Sequence, residues 1–146
     1  LGLLQESSQD GLAGSSALFL GDLINATYTV TPSGVEGTLH NAPLPQFVLV
    51  LSGVAHVTLP NSTDEVWIHG GRDSLIIAVD TAEVSAHGHL TAFPGPDPTV
   101  MMQIPFRGWS SLRPTTLHLG PCQVAEMAES KGICKAYLSH SGVWTR

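Results

Sequence analysis

Short apolar runs and alternating stretches, each closed by a turn signal, divide the chain into strand-sized pieces. Ile24, Ala26, Tyr28 and Val30 alternate with Asn25, Thr27 and Thr29, the period of a half-buried strand with its apolar side chains turned inward. The turn Thr31-Pro32-Ser33-Gly34 leads to a second predicted strand over residues 35–41, which carries His40. Pro43 and Pro45 then interrupt ladder bonding, because each lacks a backbone donor. Residues 46–51 (QFVLVL) and 74–79 (SLIIAV) are continuous apolar runs of core-strand length. Between them, Ala55, Val57 and Leu59 share one face of a strand, and residues 65–69 form another. Residues 89–93 and 99–105 complete the series, separated by the rigid turn Pro94-Gly95-Pro96-Asp97-Pro98. Short strands separated by turn signals about every 8–12 residues, with little helix between them, predict an all-β sandwich or barrel.

The two ends depart from this rhythm. Residues 1–16 are rich in Ser, Gly and Gln without a sustained period and read as an N-terminal arm, followed by a β-barrel over 17–118. Residues 119–146 read as a helical tail: 123–130 (QVAEMAES) are good helix formers, with Lys131 near the end and Gly132 as the stop. Cys122 and Cys134 bracket that helix.

Composition narrows the function classes. Charged residues make up 12%, hydrophobic ones 42%, and the net charge is −6 with six scattered Lys and Arg. That excludes a disordered tail and leaves no basic patch for nucleic acid or an anionic membrane. Pro, Gly, Asp or Asn breaks every apolar run before the roughly 18 residues of a spanning helix, so no membrane partner is expected. Asn25-Ala26-Thr27 and Asn61-Ser62-Thr63 are N-glycosylation sequons. The chain begins at Leu1 rather than Met, as after trimming or signal-peptide removal. Cys122 and Cys134 are either a disulfide of an oxidising compartment or two buried thiols. With glycosylation at Asn25 and Asn61 and a disulfide between Cys122 and Cys134, the expectation is a secreted or secretory-pathway protein.

Residues 34–53 carry the most specific spacing. Gly34 is followed after five residues by His40, then by Ala42, Gln46 and, six residues later, Gly53. This resembles the first cupin motif, whose positions are Gly, His-x-His, Glu and Gly; here Ala42 replaces the second His and Gln46 the Glu. Gly70-Gly71-Arg72-Asp73 stands where the second cupin motif has its Pro-x-Gly-Asp turn. The histidine of that motif corresponds to His89, less well to His87, and its Asn to Phe93. The resemblance covers residues 25–106, more than half the chain. It implies a cupin-like jelly-roll β-barrel, or double-stranded β-helix, to which the periodicity adds a short C-terminal helix.

A typical cupin holds Fe, Mn, Ni or Zn with three His and one Glu. The resemblance leaves His40, Gln46 and His89 for such a site, without a carboxylate, and implies that no metal cofactor is needed. It implies instead a cupin-type enzyme acting on a hydrophobic small molecule, by isomerisation, cyclisation, elimination or a pericyclic step, in secondary-metabolite biosynthesis of a fungal type. His40 and His89 would serve as acid–base or orienting groups and Gln46 as a polariser. Val48, Val50, His87, Phe93 and Gln103 would line the substrate site. The alternatives are a metal-dependent dioxygenase or isomerase using His40, Gln46 and His89, and a non-catalytic binding module. A homodimer is a further expectation, because 46–51 and 99–105 offer apolar surface.

The remaining candidates read as structural. His56 is expected at the surface and His69 in a turn; His118 and His140 receive no chemistry. Asp80 and Thr81 read as solvated turn residues. Trp67, Phe47 and Phe106 read as core or dimer contacts.

Overall fold

The computed structural model describes residues 23–107 and four two-residue strands at 5–6, 16–17, 137–138 and 144–145. β1 (Gln5–Glu6) and β2 (Ser16–Ala17) pair antiparallel in the N-terminal arm. Eight strands follow: β3 (Thr27–Thr31), β4 (Val35–Glu36), β5 (Gln46–Ser52), β6 (Val54–Thr58), β7 (Glu65–His69), β8 (Leu75–Ala78), β9 (Leu90–Phe93) and β10 (Thr99–Pro105). None of the described residues is helical. The predicted helix at 123–130 and both cysteines lie outside the described residues, as do His118 and His140.

One sheet has the order β8-β5-β10-β3 at its centre, extended beyond β8 by β11 (Tyr137–Leu138) and β12 (Trp144–Thr145); the other runs β4-β9-β6-β7. Successive strands from β3 to β10 are distributed between the two sheets so that the first pairs with the last, the second with the seventh and the third with the eighth. Apart from β11 on β8, every pairing is antiparallel. That is the two-sheet jelly roll, an eight-stranded fold of paired Greek keys.

The centre of the larger sheet, β8, β5 and β10, is buried on both faces, which explains why β5 and β8 lack alternation. Val48, Val50, Ile76, Ala78 and Met101 face the smaller sheet together with Ala55, Val57, Ile68 and Phe93. Phe47, Leu75, Ile77, Val79, Ile104 and Phe106 form a second cluster, on the opposite face of the sheet because successive strand residues alternate. Phe47 and Phe106 pack there with ring centroids 4.8 Å apart. Trp67 does not join the core: it is 50% exposed and stacks on His56 at 4.0 Å, while His56 Nε2 lies 2.9 Å from Glu65 Oε2. Half-burying His56 in this way modifies its expected surface position.

Two sequence expectations are corrected by the backbone. The alternation in β3 is real, but its face is inverted: Tyr28 and Val30 are exposed, while Thr29 and Thr31 are half-buried. The physical reason is polar: Thr29 Oγ1 donates to Gln103 Oε1 at 3.3 Å, across the β3–β10 ladder. The strand expected over 35–41 keeps its regular pairing only at Val35 and Glu36. Gly37 N still donates to Thr91 O, and His40 then bridges His89. Three steps along the first chain therefore match two along the second, an extra residue that constitutes a bulge.

Candidate functional site

A cavity of about 260 Å³ lies between the sheets, lined by His40, Gln46, Val48, Val50, His89, Phe93, Gln103 and neighbouring apolar side chains. The bulge decides which residue reaches it. Val35 pairs with Phe93 and Gly37 bonds to Thr91, so strict alternation would place Leu39 next on the inner face. The extra residue gives that place to His40, and Leu39 is left 48% exposed. His40 and His89 exchange both backbone hydrogen bonds at 2.9 Å. Their rings stand 4.5 Å apart at an angle of 55°. His40 is exposed at the cavity mouth, whereas His89 is buried.

Each imidazole is fixed through its Nδ1. His40 Nδ1 lies 2.7 Å from the carbonyl oxygen of Thr38, an acceptor, so it carries the proton and donates. His89 Nδ1 lies 2.6 Å from Asp80 Oδ2, with side-chain exposures of 10% and 3%. Asp80 is therefore no solvated turn residue. It follows β8 into the interior, where Asn41 Nδ2 donates to its backbone carbonyl and to that of Ser85, both at 2.9 Å. Its other carboxyl oxygen, Oδ1, has no partner among the described residues. The signal available in the sequence was the continuous apolar run 74–79 leading into Asp80: a core strand delivers its next residue inward unless a turn intervenes.

Gln46 is 6% exposed and lines the cavity, with no side-chain hydrogen bond to another described residue. A buried amide of that kind is a hydrogen-bonding handle awaiting a ligand or water. Thr29 occupies Gln103 Oε1, so the amide NH2 is what Gln103 has to offer. Among the described lining residues the only hydroxyl is that of Thr91, and none is Lys, Arg, Cys, Asp or Glu.

The sequence candidates thus separate clearly. His40, Gln46, Val48, Val50, His89, Phe93 and Gln103 come together on one cavity, together with Ala42, which occupies the second histidine position of the motif. His87 does not: it is exposed in the loop before Gly88 and lines no part of the cavity. The sequon residues Asn25 and Asn61 are both exposed, with left-handed φ of 49° and 60°.

As to metal, the second-sphere bonds suit coordination, because metal-binding histidines commonly donate their other N–H to a carboxylate or carbonyl. The donor set suits it less: two imidazoles and neutral amides face the cavity, and the one nearby carboxyl group is turned to His89 Nδ1. Among the described residues there is no group of three or more His, Cys, Asp or Glu placed to hold an ion.

No protein-family model and no curated protein matches the chain. Among solved structures it is similar to an RmlC-like cupin from Shewanella frigidimarina NCIMB 400, at 18% identity and a TM-score of 0.41, covering 64% of this chain and 75% of that one. The jelly-roll assignment rests on the strand order described above.

Proposed function

We propose that the protein is a cupin-type enzyme that binds a hydrophobic small molecule in the cavity between its sheets and transforms it without requiring a metal. The observation that supports this most strongly is the pairing of His40 and His89 in a largely apolar cavity, each with Nδ1 engaged. Both rings then offer a bare Nε2, which serves as a proton acceptor or a hydrogen-bond acceptor. Val48, Val50, Phe93 and Met101 supply apolar wall, and the amide of Gln46 polarises a ligand carbonyl without charge. The cavity is slightly below the roughly 300–1,000 Å³ typical of small-molecule sites, so the ligand is smaller than drug-sized. Isomerisation, cyclisation, elimination and pericyclic steps all suit such a site, because shaping and hydrogen bonding accelerate them.

The test is turnover of a panel of small cyclic ketones and lactones, followed by mass spectrometry and NMR. His40→Ala and Gln46→Ala are each expected to lower kcat by about 100- to 1,000-fold with unchanged circular dichroism. Unchanged turnover in both variants would place the chemistry elsewhere. Binding without any product would make the cavity that of a non-catalytic module.

A second reading, a metal-dependent dioxygenase or isomerase, is favoured by one observation only, the bonds that His40 and His89 donate through Nδ1 to Thr38 and Asp80. His40 and His89, with the amide oxygen of Gln46, would then hold the ion, and a bound ion would supply Lewis-acid polarisation of a substrate oxygen. Elemental analysis of purified protein is expected to give well below one equivalent of Fe, Mn, Ni or Zn. Near-stoichiometric metal whose removal abolishes turnover would replace the first reading by the second.

A further inference from the structure

We infer that Asp80 is a positioning residue that presents His89 as the proton acceptor of the cavity, and that the substrate is a β,γ-unsaturated carbonyl compound isomerised by proton transfer; this deepens the reading above and rests on it.

The two imidazoles are not equivalent. His40 stands at the mouth and donates to a neutral backbone carbonyl, whereas His89 is buried and donates to a carboxyl group that is itself 2% exposed. A carboxyl group in the interior is costly to desolvate unless paired. Asp80 has a single side-chain partner among the described residues, and that partner is His89; its second oxygen has none. The loop that carries it is tied down independently: Asn41, the neighbour of His40, holds the carbonyls of Asp80 and Ser85, and Thr81 O accepts from Val84 N and Ser85 N at 2.8 and 2.9 Å. The same segment thus fixes the carboxyl group and borders the other histidine. A carboxyl oxygen on Nδ1–H selects the tautomer with a bare Nε2 and stabilises the imidazolium that forms when Nε2 accepts a proton.

The described cavity wall offers few other uses for such a base. Among the described lining residues there is no Ser or Cys for His89 to activate, the one hydroxyl being the secondary hydroxyl of Thr91, and no Lys for a Schiff base. This lining favours abstraction from the ligand itself. An apolar skeleton fits the wall, and a carbonyl fits the unpaired amide of Gln46. A proton acidic enough for imidazole then lies on the carbon between that carbonyl and a double bond. In the reaction, His89 Nε2 takes this proton, and the C–H electron pair becomes the new C=C bond of a dienolate. The carbonyl π pair moves to oxygen, held by the N–H of Gln46. Imidazolium then returns the proton to the far carbon, giving the conjugated ketone and restoring neutral His89. Nothing is oxidised or reduced.

Two measurements test the two parts separately. Long-range ¹H–¹⁵N correlation of labelled protein reads the His89 tautomer directly and needs no substrate. Wild type is expected in the Nδ1–H form, and Asp80→Asn, whose amide can donate to Nδ1, is expected to shift it to the Nε2–H form; a wild-type His89 in the Nε2–H form overturns the role of Asp80. The second measurement is conversion of 3-cyclohexen-1-one to 2-cyclohexen-1-one, followed by ultraviolet absorbance. Wild type is expected to accelerate it, and Asp80→Asn to lower kcat at least about 100-fold with KM changed less than about threefold, as when a histidine base is held in the wrong tautomer. Asp80→Glu is expected to restore part of the lost rate. A wild type without activity on this ketone overturns the substrate class. Equal losses in kcat and 1/KM with no tautomer change would make Asp80 merely structural. Failure of the underlying reading looks different: no member of the wider panel of cyclic ketones and lactones would be turned over, whether or not it bound.

Discussion

Replacing Gly88 by alanine is expected to remove about 3 kcal/mol or more of stability, a large part of the roughly 5–15 kcal/mol that holds a domain folded. Gly88 has φ of +69° and is buried between the two histidines of the site. A left-handed conformation costs an L-residue about 1–2 kcal/mol. A Cβ there would also collide with the backbone carbonyl of His40 and lie 2.8 Å from Asn41 N. Backbone cannot swing aside as a side chain does, so the His40–His89 bridge must open. Its two hydrogen bonds are each worth about 0.5–1.5 kcal/mol net. Gly34→Ala provides the comparison: φ is +74°, but nothing lies within 4 Å of the added Cβ. That variant is expected to lose only the conformational term, about 1–2 kcal/mol. Urea denaturation of both reads the difference. Equal losses would mean that the two chain segments do not approach as closely as described. A Gly88→Ala protein that folds should also bind ligand poorly, because the separation of the two imidazoles is set by that bridge.

The comparison of chain and fold shows which physical signals survive translation. Runs bounded by turns located β5, β8 and β10 well, because continuous apolar sequence is what a strand buried on both faces requires. The period-two rule found β3 but chose the wrong side of it. Alternation reports that two faces differ, and apolar residues are the usual inner set. Here the inner positions are threonines, and one of them, Thr29, bonds the polar side chain of Gln103. That partner lies on β10, 74 residues away in sequence. Asp80 was missed for a related reason. A carboxyl group after an apolar strand looks like the start of a solvated loop, and only the fold shows that His89 waits opposite. His40 shows the reverse case. The resemblance assigned it to the site, and it does line the cavity, although simple alternation from Val35 along residues 35–40 gives that place to Leu39. The bulge that makes the difference is written in no single residue.

Restoring the two missing donors by Ala42→His and Gln46→Glu is expected to convert a weak or absent metal site into a strong one. Both residues line the cavity with His40 and His89, and the 260 Å³ of space leaves room for the larger imidazole. Three imidazoles and one carboxylate are a donor set suited to Fe, Mn, Ni or Zn. Two added ligands should tighten binding at least about 100-fold, equivalent to about 2.8 kcal/mol. The same substitutions carry an opposite cost without metal. Gln46→Glu introduces a carboxyl group at a position that is 6% exposed, without a described partner, and desolvation penalises it. The double variant should therefore melt below wild type when metal-free and above its own metal-free value when Zn²⁺ or Mn²⁺ is added, because an ion that binds only the folded state stabilises it. Wild type should show little shift under the same conditions. Calorimetric titration with differential scanning of the two proteins separates the terms. If the double variant binds no more tightly than wild type, positions 40, 42, 46 and 89 do not converge on one point. If wild type already binds as tightly, Ala42 and Gln46 did not weaken the site, and the case for chemistry without metal loses its chemical basis.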